Sequence, residues 1–282
     1  MEDWLQYYAT PGLMTELGEH SLLFNGLPAD IPTLCGIVQG LILHLHWAER
    51  YSVKLSEERR QEANLRRVSR QLSRIRELDE NPLTTARPFK RRIVGTCRDY
   101  SVFLSAILRY QGIPARARCG FGTYFTPNKY EDHWICEYWK ADEERWVMVD
   151  AQLDQFQRDV LSIEFNTFDM PEGQFLSAGK AWELCDAGKT DPESFGIFDM
   201  HGMWFIGGNV VRDLLSLNKI ELLPWDGWGF MPRYEQQDIP LEDMELLDRV
   251  ASVTLAGNEA FSEVHSIFEN EEKLHLPPGW EL

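Results

Sequence analysis

Apolar and polar positions change period along the chain, and the changes mark three stretches. In the first, Asp30 and Pro32 stand before an apolar run and predict a helix to about Tyr51. Ser56, followed by Glu57 and Glu58, opens a second helix, whose Leu65, Val68, Leu72 and Ile75 recur three and four apart. Asn81-Pro82 ends it. In the middle stretch, Thr96 to Tyr110 carries an inward face of Val102, Phe103, Ala106, Ile107 and Tyr110, and Gly112 and Pro114 stop the helix. The period then becomes two. Ala115 to Phe125 reads as a strand with Ala117, Cys119, Phe121 and Phe125 on one face. Gly120 and Gly122 lie on the other face, where a bulge or another chain segment comes close. His133 to Lys140 and Arg145 to Asp150 are two more strands, joined by the polar turn Ala141-Asp142-Glu143-Glu144. In the third stretch the periodicity is weak. Gln152 to Tyr234 mixes helix and loop, two helices follow near Leu241 to Val253 and Asn258 to Phe268, and the tail Pro277-Pro278-Gly279-Trp280 is extended.

The expected organisation is one composite α+β domain over 1–282. A helical region 1–92 precedes a core 93–160 of a helix on an antiparallel sheet, and a helix/loop layer 161–282 follows. No repeat or Gly/Ser-rich linker interrupts it.

Composition narrows the function. The 282 residues are 44% hydrophobic with ten Trp, which excludes long disorder. A net charge of −17 disfavours a nucleic-acid partner. That charge is uneven: Arg50 to Arg92 holds 13 Lys and Arg against 6 Asp and Glu, a net +7, and the remainder nets −24. No aromatic residue interleaves the basic ones between Lys54 and Arg76, so a base-stacking surface is not expected. The simplest role for the basic segment is packing against the acidic body. Five cysteines in a chain of this length suggest reduced thiols and a cytoplasmic setting. The start Met1-Glu2-Asp3-Trp4 is unlike a signal peptide. Leu34 to Trp47 is too short and too polar to span a bilayer, so no membrane partner is expected. His44 and His46 diverge on a helix, and Cys35, Cys119, Cys136 and Cys185 show no C-x-x-C spacing, so neither a metal nor a cofactor is expected.

Chemistry concentrates at Gly95-Thr96-Cys97-Arg98-Asp99-Tyr100. Cys97 falls where a loop becomes a helix. There, unpaired backbone N–H groups and the helix dipole favour thiolate. His133 follows 36 residues later at the head of a strand, and Asp150 another 17 on at the end of the next. A hairpin turning at Ala141-Asp142 sets His133 opposite Asp150, where an acid holds the imidazole that activates the thiol. Asp132 and Asp154 are the fallback carboxylates. The Cys97 backbone N–H is one oxyanion donor by position. Gln39, an amide inside an apolar helix, is either the second donor or a core group bonded to backbone. Trp134 either shields the ion pair or packs in the core. Trp225 and Trp228, in an aromatic, Gly-rich stretch, either face substrate or belong to a structural layer, as does the segment Gly202 to Asp213.

The residues Gly95 to Ser101, with Ala106 to Arg116 after them, resemble the nucleophile segment of the transglutaminase-like superfamily. Asp132-His133-Trp134 and Trp146 to Asp150 resemble its His and Asp segments, in the same order. The likeness runs from about Ile93 to Leu153. It implies a papain-like core with Cys97 as nucleophile, His133 as base and Asp150 as orienting acid. The chain departs from animal transglutaminases in its length, in lacking flanking β-domains and in having no EF-hand-like loop, and looks more like a bacterial member. The expected function is thiol-dependent acyl-enzyme chemistry on a peptide or other amide. Hydrolysis is favoured over transfer to an amine. A non-catalytic binding or scaffold protein that keeps the fold is the alternative.

Overall fold

The computed structural model describes residues 3–231 and 239–280; the last three residues of the Gln152–Tyr234 stretch lie outside them. The chain is an α+β protein and divides into two units, Met1–Ala117 with Ile135–Met170, and Arg118–Trp134 with Pro171–Leu282.

The first unit begins with α1 (Asp3–Tyr8) and α2 (Ile31–Leu41), followed by β1 (Ile42–His44). Asp30 caps α2 by accepting from Thr33 N at 3.0 Å, as its sequence signal requires. The helix does not continue to Tyr51. The Ile42–His44 run leaves helical geometry to form β1, which pairs in parallel with β2 (Ile93–Gly95), Ile42 against Ile93 and His44 against Gly95. A buried pairing partner outweighs local periodicity here. The second predicted helix is likewise broken, into α3 (Glu57–Arg60), a 3-10 turn (Gln61–Asn64) and α4 (Val68–Leu78). Ser56 caps α3 through Arg59 N at 3.3 Å. The break serves Glu62, which is buried: one carboxylate oxygen accepts from Arg74 and forms an ion pair with Arg59, and the other accepts from Val94 N of β2 at 3.0 Å.

α5 (Cys97–Tyr110) is the core of this unit, and α2 packs on it. Cys97 to Arg109 are buried on every side, so the helix is enclosed rather than amphipathic. Its serines are satisfied within the helix: Ser101 donates to the Cys97 carbonyl at 3.1 Å and Ser105 to that of Ser101 at 2.8 Å. Gly112, at φ +75°, ends it, with Ile113 N returning to Leu108 O. Then come β3 (Ala115–Gly122), β4 (Tyr130–Lys140), β5 (Arg145–Val149) and α6 (Gln155–Leu161); β3 and β4 each contribute residues to both units. β4 and β5 form the expected hairpin in a different register. Lys140 pairs with Arg145 and Cys136 with Val149. The turn is therefore centred between Asp142 and Glu143, with Glu144 at φ +50°, one residue later than expected. In this register Asp150 projects onto Ile135, not onto His133. Trp4 meets Trp139 and Trp146 at ring distances of 4.8 and 5.8 Å, and Arg116 lies 4.0 Å over Trp146 while pairing with Glu137.

The second unit holds β6 (Phe175–Ser177), α7 (Ala178–Asp186), β7 (Phe195–Ile197), β8 (Met200–His201), α8 (Met203–Leu217), α9 (Leu241–Leu255) and α10 (Phe261–Asn270). Its sheet runs in the order β6-β3-β4-β7-β8, with β3 antiparallel to β6 and β4 parallel to β7. The two glycines of β3 mark close approaches, as their sequence setting suggests. A Cβ on Gly120 would stand 2.1 Å from the Leu176 carbonyl, and one on Gly122 2.7 Å from the Phe125 ring. α7, α8 and α9 pack on one another. Arg118 of β3 grips Asp213 of α8 with two bonds, at 2.9 and 2.8 Å, and also reaches the Thr254 carbonyl of α9. α9 and α10 fall where the sequence indicates. The stretch Gly202–Asp213 does not: apart from Gly202 it belongs to α8, whose Gly207-Gly208 pair masks the helix in sequence. No helix among the described residues is long and apolar enough to cross a membrane.

Candidate active site

In the first unit, Cys97 is the first residue of α5, with Thr96 before it in extended geometry. Asp99, two residues on, fixes this entry. One carboxylate oxygen accepts from Thr96 N at 2.7 Å and from the Thr96 hydroxyl at 3.3 Å. The other accepts from Gln71 at 2.8 Å and Arg98 at 2.9 Å. The first turn of the helix is thus held to α4 and to the preceding loop at once. The backbone N–H groups at a helix start have no partner within the helix and carry its positive end, which favours a thiolate at Cys97.

The other thiols sit elsewhere. All five cysteines are buried and none forms a disulfide. Burial pushes the Cys136 thiol up to about 12 and that of Cys185 up to about 11. It pushes Cys35 well above the usual thiol range, helped by nearby Cys136 and Asp150. Cys136 also contacts the Ser105 hydroxyl at 3.3 Å. These are neutral core thiols at physiological pH.

Asp150 follows β5 and is wholly buried. Its backbone N–H donates to the Thr167 carbonyl at 2.9 Å, and its carboxylate accepts from Gln152 N at 3.0 Å. Gln39, half-buried on α2, donates to the Ala151 carbonyl at 3.0 Å. This ties α2 to the residue after Asp150 and uses one N–H of the amide. The fallback Asp154 has structural work: it caps α6 through Gln157 N at 2.9 Å and accepts from Tyr51 at 2.8 Å.

In the second unit, His133 lies on β4, 2% exposed. The half-buried rings of Phe125 and Tyr124 stand against its imidazole at 4.8 and 5.9 Å. Their loop is anchored: Thr123 bonds the Gln174 backbone through both its N–H and its hydroxyl, and Lys129 reaches the Glu193 carbonyl. Asp132, on the opposite face of the strand, is held by Asn209 at 2.7 Å. Burial pushes its carboxyl above the ordinary range, against pulls from Arg212, Asn209 and His133. Trp134 is buried and its indole N–H has no protein acceptor among the described residues. Trp228 is also buried and donates to the Lys273 carbonyl at 3.2 Å, whereas Trp225 is 48% exposed. Asn209 and Arg212 were not legible as site neighbours, because nothing in the sequence links residue 209 to residue 132. Among the described residues no cluster of His, Cys, Asp and Glu has a metal-binding arrangement.

Several arginines of the basic segment bond within the segment itself. Arg87 donates to the carbonyls of Asn81, Pro82 and Thr85, Arg59 to those of Lys90 and Arg92, and Arg91 pairs with Asp79. Much of its charge staples its own loops.

Residues 47–151 match a family model described as the transglutaminase-like superfamily, a span that contains Cys97, His133 and Asp150. No curated protein matches the chain. Among solved structures it is similar to "a Putative Cysteine Protease from Cytophaga hutchinsonii", at 12% identity and a TM-score of 0.38, over 63% of this chain and 46% of that one. The chain therefore spans less than half the length of that structure, and the likeness is too slight to add to the assignment. Over residues 47–151 the chain is similar to the core of the transglutaminase-like superfamily.

Proposed function

We propose that the protein is a thiol enzyme that forms an acyl-enzyme at Cys97 on a peptide or other amide, with His133 as base and Asp150 as its orienting acid. The observation that carries this reading is the setting of Cys97: alone among the cysteines it occupies the first turn of a helix whose start is pinned, by Asp99. The thiolate attacks the amide carbonyl carbon and the C–N bond breaks. The amine leaves with the proton that the imidazole took from the thiol. Water, deprotonated by the same imidazole, then cleaves the thioester and restores the thiol. The Cys97 N–H and the second N–H of Gln39 are the proposed oxyanion donors. We favour water over an amine as acceptor, because nothing identifies a surface for an amine donor. The buried, reduced thiols suit a cytoplasmic protein. Trp225 is proposed to contact substrate and Trp134 to shield His133. Trp228, with its indole bonded to backbone, serves that layer's structure first. Trp225→Ala is expected to raise KM severalfold without moving the unfolding midpoint; parallel losses of activity and stability would remove the role.

The alternative is a binding or scaffold protein that keeps the fold, and the near-complete cover of Cys97 and His133 favours it. One experiment separates the two. The protein is alkylated with limiting iodoacetamide between pH 5 and 9, beside Cys97→Ala and His133→Ala. Fast single-site labelling below neutrality that both substitutions abolish supports the enzyme. Five slow, equal thiols sink it. A labelled primary amine offered with glutamine peptides then distinguishes transfer from hydrolysis.

A further inference from the structure

We propose that Asp132 is a positioning residue for His133, held in place from α8 by Asn209 and Arg212, and that its charge sets the protonation of the imidazole beside it. This rests on the reading of His133 as the base and names a part that reading does not contain.

The geometry is a buried polar chain within one unit. Asp226 presents its backbone carbonyl to Arg212 at 2.8 Å, and its carboxylate accepts from Leu223 N at 2.9 Å. Arg212 donates to the Asn209 side-chain carbonyl at 3.1 Å. With that oxygen occupied, the Asn209 amide is oriented to donate, and it meets Asp132 at 2.7 Å. Every member is fixed by the next, so Asp132 has one orientation. Asp132 and His133 are consecutive on a strand and face opposite ways, so the carboxylate cannot hydrogen-bond the ring directly. It acts through space, over the short separation of adjacent buried residues on one strand.

The cost of this arrangement points to a use. A carboxylate at 8% exposure is expensive to keep charged. Burial also works against the charge of Arg212, which Cys119, Asp132 and Asp226 favour. In this unit the groups around His133 include Tyr124 and Phe125 from the loop, Glu131 and Asp132 on its own strand, and Arg212 behind Asp132. Glu131 is coupled to His133 too, but its tie is the hydroxyl of Thr126 in the adjoining exposed loop. Asp132 is instead tied to the helix α8, through Asn209. A fixed anion near an imidazole favours the imidazolium. That is the form which pairs with a thiolate and protonates a leaving amine.

The test is an NMR titration of the His133 imidazole. It uses the full chain with Cys97→Ala, so that the thiol does not titrate with it, and assigns the signal by its loss in His133→Gln. Asp132→Asn is expected to lower the midpoint by about one pH unit. Asn209→Ala should lower it by about half as much, and Asp132→Glu should restore it to within roughly 0.3 unit. Asp132→Asn is isosteric, and cooperative urea unfolding confirms its fold. A midpoint within about 0.2 unit of the parent in that folded variant overturns the proposal. Alkylation of Cys97 in the otherwise native chain is run alongside. An activated Cys97 with an unmoved His133 midpoint removes Asp132 alone. A Cys97 as slow as the core thiols with a shifted midpoint removes the acyl-enzyme reading and keeps the control of His133 by Asp132.

Discussion

At the residue scale, two aspartates differ in what they do for the protein. Asp99 accepts four bonds at the start of α5 and serves stability and placement together. Asp99→Ala removes a helix-start bond and strands the buried donors of Gln71 and Arg98. The expected loss is about 2–4 kcal/mol, read from urea unfolding, together with slower alkylation of Cys97. Asp132 works the other way. Its folded-state carboxyl titrates above its unfolded value, so the folded state binds the proton more tightly. Stability is then lost as pH rises from the unfolded value through the folded one. Asp132→Asn should therefore unfold at the same or a higher urea concentration than the parent at pH 7. A marked drop in midpoint would show that the carboxylate stabilises the fold.

At the scale of elements, α8 is what the second unit is built around. It carries Asp213 to Arg118 and Cys119 N on β3, and Asn209 to Asp132 on β4. The Arg118–Asp213 pair is buried and bidentate, so its strength lies in mutual satisfaction: either partner alone leaves an uncompensated charge. Asp213→Ala is expected to cost about 3–5 kcal/mol in urea unfolding. Arg118→Met combined with Asp213→Leu should recover most of that loss, because an apolar pair of similar volume no longer buries a charge. α5 is the equivalent element of the first unit. Its N-terminus carries Cys97, and Cys97 to Arg109 are buried, whereas Tyr110 at its end, read in the sequence as inward-facing, is exposed.

At the scale of the whole molecule, charge is the dominant variable. With 45 acidic against 28 basic residues, self-repulsion opposes the folded state. Raising ionic strength from about 0.01 to 0.15 M shortens the screening length from roughly 30 to 8 Å and should raise the thermal midpoint at pH 7. A falling midpoint would mean that specific ion pairs outweigh the net field. Acid acts in the opposite sense. Asp169 is held below the usual carboxylate range by Arg145, Glu143 by Lys140 and Arg145, and Asp30 by its bonds to Thr33. Each contributes stability that is present above its unfolded value and lost as pH falls through its lower folded one. Thermal midpoints are expected to decline as pH falls below about 4.

Local chemistry determined what was legible in the residues alone. The Asp30 and Ser56 caps, the span of α5 and its stop at Gly112, the β4–β5 hairpin, and α9 and α10 all follow from short-range signals that act within one turn or one loop. So does the place of Cys97, because a helix start is set by its neighbours in sequence. Tertiary structure decided the rest, wherever a distant partner outweighed the local preference. β1 exists because β2 offers a buried ladder to residues that periodicity assigns to a helix. The hairpin register moved by one residue at its turn because the ladder closes on Lys140 and Arg145 rather than at Ala141. α8 forms through two adjacent glycines because its other face buries Asp213 against Arg118 and Asn209 against Asp132. Those pairings span 95 and 77 residues, and no pattern within a single element records them.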